Sequence, residues 1–327
     1  MIDSPAPPPV RLDGDVIVVT GAGRGLGRAY ALALAARGAR VVVNARRPAH
    51  AEGVAAEIRS QGGEAVAAAV PVGDPDDAER LIGSAVDHFG TVHAVVHNAG
   101  TMRNGAITEQ TAQTLDDLVA LHLAGPFHIT RAAWPLLRAT GRGRVVLTGS
   151  SAMFGIAAAA NYAASKAAVV GLGRALACEG EPSGIRVNVV LPQAATDIRQ
   201  SDPSAAEDPA RAAAVSAAAA EHAARLAPGV AAAVREIKPP EAVAPLVVHL
   251  ASAACATSGE IFAAGCGRFA RVLMIETRGW IAPSPYGVEV EDVAARMTDI
   301  LATDEHVVVR SVYDEIEYMA RMVGAWS

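Results

Sequence analysis

The hexapeptide from Asn161 to Lys166 reads NYAASK and holds Tyr162 and Lys166 four residues apart. Ala-rich sequence continues through Ala167, Ala168, Val169, Val170 and Leu172, which predicts a helix. On a helix, a spacing of four puts both side chains on one face, about 6 Å apart along the axis. A phenol with a free pKa of ~10 is a poor acid or base at pH 7. A cation beside it favours the phenolate, so Lys166 is expected to lower the pKa of Tyr162 toward the range where proton transfer is efficient. Composition argues against a chance pairing. Of the 28 basic residues only Lys166 and Lys238 are Lys, and all the others are Arg. A chain that uses Arg almost everywhere, yet places Lys here, points to a need for an ammonium.

Something must position that pair, and the chain supplies it from Asp15 to Arg47, DVIVVTGAGRGLGRAYALALAARGARVVVNARR. A β-branched run (Val16 to Val19) meets glycines, an Ala/Leu helix follows, and a second β-run (Val41 to Val43) closes a βαβ unit. The Gly-rich first turn is the dinucleotide-binding, or Rossmann, arrangement. Its glycines are spaced Gly21, Gly25 and Gly27, with an extra Gly23 and with Arg24 and Leu26 between. Absent side chains let the backbone approach a pyrophosphate, and the helix start offers free N–H groups to it. Further apolar runs follow at Ala65 to Val70, Val92 to Val96, Arg144 to Thr148 and Arg186 to Leu191. Between them lie helical stretches at Asp76 to Phe89, Leu115 to Leu137 and Tyr162 to Cys178. Strands alternating with helices predict an α/β protein with a three-layer, doubly wound parallel sheet.

Residues 1–10 read as a flexible Pro-rich tail, and 11–272 as a single domain. Asp197 to Pro240 is expected to be a helical, lid-like insertion over the site. Phe262 to Val272 reads as one more strand, 273–327 as a C-terminal extension, and Val288 to Ser327 within it as two helices.

In such sheets ligands bind at the carboxyl ends of the strands. Gly21 to Gly27 follows the first strand, Asn98-Ala99-Gly100 follows the Val92 strand, and Ser150 follows the Arg144 strand. A Ser hydroxyl there could hydrogen-bond a substrate oxygen while Tyr162 exchanges the proton. Ser151 adjoins it, which leaves the choice between the two open. The parts of other chemistries are missing from this sequence: there is no Gly-x-Ser-x-Gly elbow and no Walker Lys. His93 and His97 would stand about 13 Å apart on a strand, too far for one metal, so no metal is expected.

The net charge of −6 argues against nucleic acid as partner. No apolar run approaches the ~20 residues of a membrane span. Cys178, Cys255 and Cys266 are odd in number and form no Cys-x-x-Cys pair. Together these features predict a reducing, cytoplasmic location.

At this point the residues resemble the short-chain dehydrogenase/reductase family. The resemblance rests on TGAGRGLG (Thr20 to Gly27), HNAG (His97 to Gly100), HLAG (His122 to Gly125), Ser150 and YAASK (Tyr162 to Lys166), and covers residues 12–270. Within it the chain looks most like the (3R)-hydroxyacyl-CoA dehydrogenase branch of the peroxisomal multifunctional enzymes of type 2 and its stand-alone bacterial relatives. That closer likeness rests on GRGLGRAYALALAARGARVVVN, on His122 with GPFHITRAAWP, and on SGEIFAAGCGRFARVLMIETRGW.

The resemblance implies an NAD(P)-dependent oxidoreductase acting on a small-molecule alcohol or ketone. Tyr162 would be its acid/base, Lys166 would hold the nicotinamide ribose, and Ser150 would orient the substrate. Gly21, Gly25 and Gly27 would carry the phosphates, and Asn98, Ala99 and Gly100 would flank the adenosine half. A 3-hydroxyacyl or 3-ketoacyl thioester follows from the branch alone. A ketoreductase acting on a polyketide, terpenoid or cyclic ketone, and a non-catalytic dinucleotide sensor, are the alternatives. A homodimer or homotetramer built on helices Leu115 to Leu137 and Tyr162 to Cys178 is also implied.

Several positions depart from the family pattern. His122 stands where Asn is usual, as a fourth catalytic position of unsettled role, and His97 replaces the first Asn of the NNAG signature. The Ser150–Tyr162 spacing is one residue shorter than the common pattern. Pro71 stands at the usual adenine-facing Asp, and Pro192-Gln193 replaces Pro-Gly. The second strand ends Val43-Asn44-Ala45-Arg46-Arg47, with Ala45 where the branch has Asp. An acid there repels a 2′-phosphate, whereas Arg46, with Arg24 in the glycine turn, would accept one. NADP(H) is therefore expected over NAD(H).

Overall fold

The computed structural model describes residues 9–194, 239–284 and 286–324, together with 213 and 217. The Pro-rich tail lies almost wholly outside the described residues, and so does the expected lid. The chain forms two compact units, Met1–Arg271 and Val272–Ser327.

The first unit is built on an eight-stranded sheet in the order β3-β2-β1-β4-β5-β6-β7-β8. Its strands are β1 Val16–Val19, β2 Arg40–Asn44, β3 Glu64–Ala68, β4 Ala94–His97, β5 Arg144–Thr148, β6 Arg186–Gln193, β7 Ile261–Gly265 and β8 Arg268–Val272. From β3 to β7 every pairing is parallel, with β1 flanked by β2 and β4. Val16–Val19, Val41–Val43 and Ala94–Val96 are fully buried. A parallel sheet covered on both faces needs such continuous β-branched runs, and alternation would leave one face polar.

Helices α1 Gly25–Ala35, α2 Pro48–Ser60 and α7 Ala244–Ala251 pack on one face. There Tyr30, Leu34, Ile58 and Val247 meet Ile17, Val19, Val41 and Val43. On the other face α3 Pro75–Phe89 packs against α5 Gly125–Ala139, and α4 Ala112–Val119 against α6 Ala160–Gly180. Local signals set these ends. Asp74 caps α3 by accepting the Asp76 N–H at 2.8 Å, with Pro75 in the first turn and Gly90 at φ 81° closing it.

Three elements differ from the sequence reading. The stretch from Leu115 to Leu137 is not one helix: Ala120–Ala124 forms a π-helical turn between α4 and α5. Pro126 has no N–H to give the carbonyl of His122 four residues before it, so the ladder widens there, and Gly125 N–H reaches back to the Ala120 carbonyl. Phe262 to Val272 holds two strands, because Cys266 and Gly267 have φ of 53° and 72°. Two consecutive positive φ values make the tight turn of a hairpin, which brings β8 back antiparallel. The tail is not two helices alone. In the second unit β9 Ile275–Thr277 pairs antiparallel with β10 His306–Val308, beside helical segments Val290–Ala295, Met297–Ile300 and Val312–Met322.

Arg144 opens β5 at the amino edge of the sheet, only 6% exposed. Its guanidinium donates to five backbone carbonyls: Ser252 (2.9 Å), Gly143 (2.9 Å), Gly184 (3.3 Å), Ala253 (3.2 Å) and Cys255 (3.0 Å). Three connections thus hang on one side chain whose planar fan of donors no other residue reproduces. We expect Arg144→Met to destabilise the chain by about 3–5 kcal/mol in denaturant melts, since it strands buried carbonyls, and Arg144→Lys to recover little of that. A loss below about 1 kcal/mol would contradict the assignment.

Candidate active site

Because β1, β4 and β5 run parallel, their carboxyl ends share one edge, and the loops after them meet there. The Thr20 hydroxyl accepts the backbone N–H groups of Asn98 (3.0 Å) and Ala99 (3.1 Å). The Asn98 amide returns two bonds, to the carbonyls of Thr20 (3.3 Å) and Gly21 (3.2 Å). A Cβ on Gly21, whose φ is +62°, would lie 2.7 Å from the Ala99 Cα, and one on Gly27 would lie 2.2 Å from the Gly21 oxygen. These two glycines are therefore demanded by the protein's packing on itself, before any ligand is considered. Gly25 has φ 53° and opens α1. Arg24 in the N-cap position makes no side-chain cap, and the first turn holds no acid. The N–H groups at the start of α1, beside Leu26, remain open to an anion, which fits a dinucleotide pyrophosphate.

At the end of β2 the residues divide. Asn44 is 1% exposed, and its amide donates to the carbonyls of Ala68 (3.1 Å) and Val70 (2.7 Å) while accepting Gly21 N–H at 3.4 Å. Its side chain is spent on the sheet and is not free to touch a cofactor, which corrects the sequence reading. Ala45 is buried against the glycine turn, where a Cβ on Gly23 would come within 3.0 Å of its methyl. Arg24 and Arg46 are both exposed, and neither forms an ion pair among the described residues.

The start of α6 presents the remaining groups. Tyr162 is 7% exposed and Lys166 4%. The Lys166 ammonium donates to the carbonyl of Thr148 at 2.8 Å and lies 6.0 Å from the centre of the Tyr162 ring. Burial pulls the Lys166 pKa down to about 8. The pKa of Tyr162 is raised, chiefly by burial and against an opposing hydrogen bond from Ser150. The sequence reading had a cation lowering it. Here desolvation dominates over the Ser150 hydrogen bond, and the Lys166 ammonium is directed at a carbonyl instead of the phenol.

The two serines separate. Ser150 faces Tyr162 and accepts the Ala152 N–H at 3.1 Å, whereas the Ser151 hydroxyl accepts the Gln193 amide at 2.6 Å. His122, in the π-turn, is 1% exposed and stands edge-on to Tyr162, with ring centroids 5.5 Å apart. Gly100 lies against it, a Cβ there being 3.2 Å from Nε2. His97 turns away into the core, bonding the Thr130 hydroxyl at 2.9 Å.

Sequence reading missed Met102, Ala152, Ile156 and Ala159, which pack with Leu118 around Tyr162 as an apolar wall. Apart from Leu118 they sit in loops or, for Ala152, in the single 3₁₀ turn Ser151–Phe154, where no periodicity marks a buried position. Among the described residues no group of three His, Cys, Asp or Glu is placed to hold a metal, and no helix is long and apolar enough to cross a membrane.

The family model described as short chain dehydrogenase matches residues 15–207. A Mycobacterium tuberculosis protein named as a short-chain type dehydrogenase/reductase is 39% identical over 295 residues, covering 87% of this chain and 93% of that one. Mouse peroxisomal multifunctional enzyme type 2 is 36% identical over 283 residues, covering 84% of this chain and 34% of its own. Among solved structures, the full-length Drosophila melanogaster peroxisomal multifunctional enzyme type 2 superposes with a TM-score of 0.75 at 27% identity, covering 97% of this chain and 50% of that one. A short chain dehydrogenase from Mycobacterium avium gives a TM-score of 0.73 at 31% identity, covering 91% and 98%. The chain therefore spans about the whole length of the mycobacterial proteins but half or less of the multifunctional ones.

The buried ammonium makes stability depend on pH. Unfolded Lys holds its proton up to the ordinary 10.5, while folded Lys166 releases it near 8. The penalty for burying the charge is thus constant below pH 8 and is relieved as pH climbs toward 10.5. Lys166→Met lacks that term. Between pH 7 and 9.5 the stability of Lys166→Met relative to wild type should fall by about 2 kcal/mol in denaturant melts. A difference that does not move with pH would mean that the ammonium is not desolvated.

Proposed function

The chain belongs to the short-chain dehydrogenase family, and from that premise we propose an NAD(P)-dependent oxidoreductase that interconverts a secondary alcohol and a ketone with Tyr162 as its acid/base. The observation that carries this is the meeting of the Ser150 hydroxyl, the Tyr162 phenol and the Lys166 ammonium on one strand edge beside the uncapped start of α1. When bound, the nicotinamide supplies or takes the hydride. The protein does the rest. Ser150 orients the substrate oxygen, and Tyr162 gives it a proton in reduction and takes one in oxidation. Lys166 holds the nicotinamide ribose, and the open N–H groups at the start of α1, beside Leu26, hold the pyrophosphate.

On the substrate side, the wall of Met102, Ile156 and Ala159 favours an apolar group next to the carbonyl. Together with the likeness to multifunctional enzyme type 2, it supports a 3-hydroxyacyl or 3-ketoacyl thioester. A homodimer or homotetramer and a cytoplasmic location belong to the same proposal, and light scattering at micromolar concentration tests the first.

Tyr162→Phe keeps the packing and removes the proton. Its turnover should drop by about 10²–10⁴-fold with dinucleotide binding nearly unchanged. Ketone reduction at the wild-type rate would reject Tyr162 as the acid. Activity on acyl-CoA or N-acetylcysteamine thioesters is expected, whereas activity confined to cyclic or aromatic ketones would move the substrate to the ketoreductase alternative. No turnover with any carbonyl, alongside retained dinucleotide binding, would favour a sensor.

For the cofactor we propose a preference for NADP(H). At the end of β2, Ala45 offers no acid, and the exposed Arg46 and Arg24 stand without ion pairs among the described residues. A guanidinium matches a 2′-phosphate in geometry and charge. Arg46→Ala should raise the KM for NADPH about 10-fold or more and leave that for NADH nearly unchanged. A kcat/KM that clearly favours NADH in the wild type would sink the preference.

A further inference from the structure

His122 occupies a position that suggests a proton relay, yet its hydrogen bonds lead elsewhere. Its Nε2 accepts the backbone N–H of Thr101 at 3.2 Å. A backbone amide can only donate, so Nε2 carries no proton and the proton of the neutral ring sits on Nδ1. Nδ1–H then donates to the Ser165 hydroxyl at 2.9 Å. The Ser165 hydroxyl, with that lone pair filled, donates onward to the carbonyl of Tyr162 at 2.9 Å. Every donor and acceptor in the chain from Thr101 to Tyr162 is used in one direction, with no step that can be reversed locally.

We propose that Thr101 N–H, His122 and Ser165 form a brace that positions Tyr162 by its own backbone, with His122 locked as the Nδ1–H tautomer rather than passing protons. The three parts come from three places: the loop after β4, the π-turn, and α6. Tyr162 is pinned at its carbonyl by Ser165 and at its ring edge by the His122 ring. The widening of the helix at Ala120–Ala124 is what turns His122 inward to reach both. Two ionisable groups, Tyr162 and Lys166, lie nearby. Burial, with the Lys166 charge adding to it, holds His122 well below its ordinary range, which keeps the ring neutral. Ser165 is 2% exposed, so water does not compete for its bonds.

The consequence for catalysis rests on the acid/base role proposed for Tyr162, but the hydrogen-bond chain does not. Two measurements keep them apart. In the full chain labelled with ¹⁵N-histidine, His122 (assigned by its shift in Ser165→Ala) should show a protonated Nδ1 and an unprotonated Nε2, unchanged from pH 5.5 to 9. Titration within that range, or the opposite tautomer, overturns the brace whether or not turnover is seen.

In steady-state kinetics on the proposed substrate, Ser165→Ala and His122→Asn should each lower kcat about 10- to 100-fold, with NADPH affinity unchanged. The double variant should lose no more than the worse single one, since both cut one path. Ser165→Thr, which keeps the hydroxyl, should recover most of kcat, and the pH limbs of kcat should stay in place. Full kcat in Ser165→Ala, multiplied losses in the double variant, or a pH limb that disappears in His122→Asn would each overturn the brace. If wild type turns over nothing, the functional reading fails while the tautomer still decides the brace.

Discussion

Keeping an ammonium charged inside the protein, one helical turn from a phenol, is the constraint to which the rest of the first unit is fitted. Lys166 is 4% exposed, and its ammonium donates to the Thr148 carbonyl at the end of β5. That carbonyl can be where it is only because β5 is held in register between β4 and β6. Desolvation lowers the lysine pKa and raises that of the tyrosine, so each is moved toward neutrality by the same cause. The sheet and its helices are the framework that makes such a costly arrangement tolerable.

The glycine turn illustrates a second constraint. Gly21 and Gly27 leave no room for a Cβ because the loop after β4 lies directly against them, tied there by Thr20 and Asn98. The open N–H groups at the start of α1 are thus set in place by contacts within the chain itself. Asn44 extends the same network to β3. Residues that look like ligand contacts in the sequence are, in several cases, the staples that hold the contact surface in place.

The opposite edge of the sheet carries only structure. Arg144 gathers β5, the turn before β6 and the segment after α7 around one guanidinium, with no carboxylate partner among the described residues. Its bonds go to carbonyls of the turns before β5 and β6 and of the segment after α7. This anchor sits at the amino edge while the candidate active site lies at the carboxyl edge, and the two are separated by the length of the strands.

The sequence by itself determined the alternation of β-branched runs with Ala/Leu helices, hence the parallel sheet, the glycine turn after β1, and the placement of Tyr162 and Lys166 on one helix face. All of these are local or periodic signals, set by backbone preference and by side-chain spacing along one element. Only the tertiary structure decided that Ser150 faces Tyr162 while Ser151 is taken by Gln193, that Asn44 is spent on the sheet, and that burial raises the pKa of Tyr162. It also decided the π-turn at His122 and the hairpin at Cys266, where one missing N–H and two positive φ values redirect a chain that reads as regular. Such outcomes depend on which groups from distant elements arrive at the same place and how much water they exclude, and spacing along the chain carries neither quantity.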